Sequence, residues 1–153
     1  MKKSDTFTII ILNIFSAILQ SSFFSAIFGY YLNPNLYASI CFSLVLNENF
    51  SLAYISALFG GIFLDIISGS TLGLSSLGLC IFVWVYQFLY KFYLRSWVAS
   101  FAFATIFFYL LRLVLARSFL INIPLTISAV LSALFGYLLS FLLKEGYEKV
   151  SLR

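Results

Sequence analysis

The chain has 153 residues, of which 63% are hydrophobic and only 9% charged, with a formal net charge of +4. A soluble domain carries about 25% charged residues, so this composition, with a mean hydropathy of +1.07, excludes one and leaves room for a single membrane domain. No basic run is long enough for nucleic acid, so the positive balance reads as membrane orientation.

Residues 6–47, 49–64, 66–90, 96–111 and 118–143 carry no charge. A spanning helix needs about 20 apolar residues, so nearly the whole chain is used in spans. The start, Met1-Lys2-Lys3, imitates a signal peptide. The apolar run behind it, Phe7 to Tyr31, is too long for a signal h-region and lacks a small-residue cleavage site. It reads as an uncleaved first helix over 7–31. Asn33-Pro34-Asn35 breaks it, and Pro34 suits the first turn of a second helix over 35–46. That helix is short enough to be re-entrant or half-spanning. A third helix is predicted over 51–68, with Gly69 as its stop. Three more follow over 74–90, 97–116 and 123–143, then a short polar tail. The expected fold is an all-α integral membrane protein of six transmembrane helices.

The basic residues test that count. With a cytoplasmic N-terminus, the inner side holds Lys2, Lys3, Lys91, Arg95, Lys144, Lys149 and Arg153. The outer side holds Arg117 alone, and Arg112 falls within the fifth helix. The bias predicts both termini in the cytoplasm. Trp84, Tyr86, Tyr90, Tyr93 and Trp97 flank Lys91 and Arg95 as an interfacial aromatic belt.

Asp65 lies in the third helix among apolar neighbours, where a charge costs roughly 2.5–3.5 kcal/mol at mid-membrane. Ala53, Ala57, Gly61 and Asp65 recur every fourth residue, with Gly69 just beyond. Small residues at that spacing allow close helix contact in lipid. Ser128, Ser132, Gly136 and Ser140 repeat the idea in the sixth helix. Either stripe serves packing inside the chain or faces a partner protein. Asp65 lies about 21 Å and Arg112 about 22 Å from the inner ends of their helices, at 1.5 Å per residue. An Asp65–Arg112 ion pair is therefore expected. Arg112 snorkelling outward and Asp65 in outer-face water are the alternatives. Asn13 and Gln20, seven residues apart, suit interhelical hydrogen bonds. Cys41 and Cys80 read as buried small hydrophobes.

Catalysis has little support. The chain has no His, and four of its five acidic residues sit at predicted loops or termini. No paired carboxylates, metal-ligand spacing, nucleophile–base pair or phosphate loop is present in the sequence. Catalytic, cofactor and metal residues are therefore expected to be none.

Pro34-Asn35, a short apolar helix, and then Gly61, Asp65, Ser68, Gly69, Leu72 and Gly73 form a pattern. It resembles MreD, the family of rod shape-determining membrane proteins of bacteria. That family's pattern is Pro-(Asp/Asn) before a short helix, then G-h-h-h-D-h-h-S-G-x-x-h-G, with h apolar. The resemblance is specific over 33–78 and general elsewhere. It implies a non-enzymatic scaffold of the cell-elongation machinery in the bacterial cytoplasmic membrane. Its partners would be the bitopic protein MreC and, indirectly, MreB, RodA and a class B penicillin-binding protein. Gly61, Asp65, Ser68, Gly69, Leu72 and Gly73 would form a packing or partner contact. The family is distantly similar in fold to the substrate-binding subunits of energy-coupling-factor vitamin transporters. The alternative expectation is therefore such a small-molecule subunit.

Overall fold

The computed structural model describes residues 3–68, 71–90, 92, 94, 96–116 and 123–151, without the side chains at 3–5, 28–31, 68, 115–116 and 144–151. Lys2, Gly69, Lys91, Tyr93, Arg95, Arg117 and Arg153, and the side chains of Lys3, Ser68, Lys144 and Lys149, lie outside that description. The described chain is helical: α1 (Lys3–Leu19), a π-helical segment (Gln20–Phe24), α2 (Ser25–Leu32), α3 (Leu36–Leu46), α4 (Phe50–Ser68), α5 (Leu74–Tyr90), α6 (Trp97–Ala116) and α7 (Ile123–Ser151). Four stretches are long and apolar enough to cross a membrane: Thr6–Ile27, Phe50–Ile67, Trp97–Val114 and Ile123–Leu143. Leu36–Leu46 and Leu74–Tyr90 are apolar but shorter.

α3 explains the architecture. Every residue from Leu36 to Val45 is buried. A helix that is apolar all round has no face to give to solvent or lipid and belongs in a core. Its 11 residues rise about 16 Å, roughly half a hydrocarbon core of 30 Å. The short second helix, expected as one of six spans, is thus the central post of the bundle. The other helices form a ring about it, with contacts running α1 to α4, α4 to α5, α5 to α6 and α6 to α7. α2 touches α7 and closes the circuit. Aromatic rings lock the centre to one wall. Phe42 of α3 meets Phe82 and Tyr86 of α5 and Phe108 of α6, each at 6.3 Å between centroids. Such pairs add about 0.5–1.5 kcal/mol each beyond area burial.

The first helix departs from the single run expected over 7–31. Thirteen residues of straight helix would hold Gln20 and Asn33 about 20 Å apart. Instead the Asn33 side-chain amide donates to the Gln20 carbonyl at 3.2 Å. The Gln20 side-chain carbonyl accepts from the Leu36 amide at 3.1 Å. The chain therefore turns back through the π segment and α2, as π segments often permit. Phe24 packs on Phe135 of α7, at 5.5 Å and edge to face. The turn brings α2 against α7.

The last helix also differs, continuing through the expected polar tail to Ser151. Lys144 and Glu148, and Glu145 and Lys149, are spaced four apart, which supports helix.

Candidate functional site at the Asp65 end

The Asp65 carboxylate is fully buried near the end of α4. The chain then turns and begins α5 at Leu74. The first amides of any helix have no partner within it, and an apolar setting offers no water. Asp65 supplies the acceptor. Its Oδ2 accepts from the Gly73 amide at 2.6 Å, and Oδ1 and Oδ2 accept from the Ser75 amide at 3.2 and 3.3 Å. A negative charge is also favoured at the positive end of the α5 dipole. One helix thus caps the next.

Two glycines make that clasp possible. Gly73 has φ +94°, which side-chain-bearing residues rarely adopt. A Cβ at Gly61 would overlap the Ser76 backbone and lie 2.7 Å from Ser76 Cβ, so α4 and α5 meet backbone to backbone here. Gly61, Asp65 and Gly73 of the sequence pattern therefore serve one hairpin. Ser68 is the last residue of α4, and Gly69 lies outside the described residues. Leu72 sits in the turn, 73% exposed.

The small-residue stripe of α4 is spent within the chain. Ala53, Ala57 and Asp65 are fully buried, and Gly61 is buried. Cys41 of α3 lies 3.9 Å from the Ala53 carbonyl. Of the six pattern residues, Leu72 is the described one that offers a partner substantial surface. The α7 stripe is likewise turned inward. Ser132 Oγ accepts from the Asn35 amide at 2.7 Å, and its carbonyl accepts from Ser39 Oγ at 2.7 Å.

Arg112 donates to the Asn33 carbonyl, which also accepts from Ser128 Oγ at 2.8 Å. The sequence paired Asp65 with Arg112. The bonds described here hold Asp65 on the amides of Gly73 and Ser75, and Arg112 on the carbonyl that opens α3. Asn35 completes this end by accepting from the Ala38 amide at 3.2 Å, an N-cap of ordinary kind. Asn13 bridges to Ser56 of α4 at 3.2 Å, and Gln20 bridges to α3, both as interhelical bonds.

Four buried polar atoms lack a partner among the described residues: Asn33 Oδ1, Tyr37 OH, Ser75 Oγ and Tyr109 OH. All four belong to this end. Asn33 and Tyr37 open α3, Ser75 opens α5, and Tyr109 lies one turn before Arg112. Buried polar groups are normally satisfied, by water where protein does not suffice. Taken singly in the sequence, none of these residues signals such a surplus. Only the fold gathers them toward one end of the bundle. No group of three or more potential metal ligands occurs among the described residues. Comparison of the chain with protein-family models, curated proteins and solved structures returns no match.

Proposed function

We propose that this chain is a six-span, non-enzymatic membrane scaffold of the MreD kind. It works in the bacterial cytoplasmic membrane with both termini in the cytoplasm. There it binds an MreC-like protein and supports side-wall peptidoglycan synthesis and rod shape, with MreB, RodA and a class B penicillin-binding protein as indirect partners. One observation carries the reading. Three residues of the sequence pattern form a single device, in which Gly61 and Gly73 admit the α4–α5 hairpin and Asp65 caps it. A pattern spent on shaping one hairpin suits a protein that presents a fixed surface. The exposed Leu72 turn is the contact we assign to the partner.

Affinity capture of the full chain from gently solubilised membranes tests this. An MreC-like protein should co-purify, and depletion should round the cells. A controlled capture that lacks both an MreC-like protein and the cell-wall synthases removes the main support.

The four unpartnered polar atoms favour one rival, a small-molecule transporter subunit of the vitamin type. In that reading the Asp65 end holds a polar ligand and the orphan groups bind it. A thermal-shift screen with vitamins separates the two. A ligand that raises the melting temperature, and does so less when Tyr37 is changed to Phe, supports the transporter.

A further inference from the structure

The opposite end of the bundle carries a feature that the scaffold reading leaves unused. α3 ends there in a Schellman turn. The Asn49 amide donates to the Leu44 carbonyl and the Glu48 amide to the Val45 carbonyl, both at 3.0 Å. This turn requires a left-handed residue just past the cap, usually glycine. Here it is Glu48, with φ 59°. A non-glycine residue in that region is uncommon and costs roughly 1–2 kcal/mol. The backbone bonds of the turn do not involve the carboxylate, which points to a separate use.

Glu48 lines a cavity of about 580 Å³ with Asn47, Asn49, Tyr137, Ser140 and Phe141. That lies within the usual range for ligand sites, roughly 300–1,000 Å³. The Tyr90 hydroxyl donates to Glu48 Oε1 at 2.6 Å and orients the carboxylate. Tyr90 is itself seated between Tyr86 and Phe50, at 6.0 and 6.3 Å. Asn47 is tied to α7 through its amide, which donates to the Ser140 carbonyl at 3.3 Å. The Tyr137 ring, backed by Trp97 at 6.3 Å, and Phe141 supply aromatic wall. A carboxylate beside exposed aromatic rings recognises a cation, through charge and ring quadrupole together.

The position of the cavity selects the source of that cation. The apolar stretch of α7 ends at Leu143, so Ser140 and Phe141 lie at its margin. One and two turns further in, Leu138 and Leu134 are exposed large hydrophobics of the same helix, and Phe141 and Leu142 are exposed at the margin. A phospholipid whose acyl chains lie on this face of α7 places its headgroup at Glu48.

We infer that the cavity between the α3 terminus and α7 binds an amine-bearing phospholipid headgroup, with Glu48 accepting from the ammonium and Tyr137 and Phe141 enclosing it. Phosphatidylethanolamine fits best, because its primary ammonium donates hydrogen bonds. Phosphatidylcholine offers positive charge without donors, and phosphatidylglycerol offers hydroxyl donors without positive charge.

The test is lipid retention by the purified full chain, read by native mass spectrometry after exchange into mixed micelles of the three lipids. The expected order is phosphatidylethanolamine, phosphatidylcholine, phosphatidylglycerol, with roughly tenfold preference for the first over the last, the size a charged hydrogen bond supports. Glu48→Gly should abolish the preference while leaving the melting temperature unchanged or higher, since glycine suits the turn better than glutamate. Tyr90→Phe should weaken the preference without removing it. Equal retention of the three lipids by the unaltered chain overturns the inference. So does a preference that survives in both Glu48→Gly and Glu48→Gln.

Discussion

Replacing Asp65 separates a capping carboxylate from an ion-pair carboxylate. Asp65→Ala leaves the Gly73 and Ser75 amides without their acceptor in a fully buried setting. A buried donor stripped of its partner costs about 1–3 kcal/mol, so two donors lost together cost roughly 2–6 kcal/mol. At 1.36 kcal/mol per tenfold, the middle of that range raises the unfolding constant on the order of 1,000-fold. Asp65→Asn keeps a carbonyl oxygen of the same reach. It loses the charge, and with it about 0.3–1 kcal/mol of dipole interaction and part of the charged hydrogen bonds. Its expected cost is about 1–2 kcal/mol. The assay is reversible unfolding of the purified protein in mixed micelles of increasing denaturing-detergent fraction, followed by far-UV circular dichroism. The order expected is native, Asn, Ala, with Asn closer to native. If Asn is as damaging as Ala, charge rather than acceptor geometry is what Asp65 contributes, and the capping argument fails. If Ala is neutral, the amides find other acceptors and the site has no structural role.

The remaining predictions use the same unfolding assay unless stated. Asp65→Arg combined with Arg112→Asp should not restore stability, because an arginine at 65 cannot accept from the Gly73 and Ser75 amides; full rescue would establish the ion pair as the dominant interaction. Gly61→Val should destabilise by about 2–4 kcal/mol, since α4 and α5 must part to admit a side chain against Ser76, and a loss under 1 kcal/mol would show that the backbones are not in contact. Gly73→Ala should cost about 1–2 kcal/mol through its positive φ alone, as a Cβ there meets nothing within 4 Å. Gln20→Leu should strip the Leu36 amide of its acceptor and destabilise by about 1–3 kcal/mol, and a loss under about 0.5 kcal/mol counts against that bond.

Membrane character and helix boundaries were legible because lipid imposes a simple rule on composition. A charge-free run long enough to span is written into the residues, and the helices from Leu36 onward begin within a residue or so of their expected starts. Asp65 was legible as an anomaly, and its glycine surroundings as a sign of close packing. Its hydrogen bonds were not. The Gly73 and Ser75 amides that donate to it are backbone groups, which leave no mark in a sequence. The bend after Gln20 was hidden for a similar reason. Residues 20–32 contain no proline, and their glycine, Gly29, is an ordinary occupant of membrane helices. Local propensity therefore favours one long helix. Tertiary bonds from Gln20 to Asn33 and Leu36 decide otherwise.

The centrality of α3 shows why polar residues gather at both ends of so apolar a chain. α3 is only about 16 Å long and buried from Leu36 to Val45, so the amides and carbonyls at its ends have little access to water, and unmet ones each cost several kcal/mol. Each terminus must therefore be satisfied by protein. At the start of α3 the acceptors are Gln20, Asn35 and Ser132, and the donors onto the entering carbonyl are Arg112 and Ser128. At its end the Schellman turn and Asn47 do the same work. Those groups come from the π-helical segment, α6 and α7 as well as from the flanks of α3, so capping the central post also ties down the ring. The groups left over at each end, the four orphan atoms near Asp65 and the Glu48 carboxylate, exceed what this capping requires. That surplus is where binding of a small polar group is to be sought.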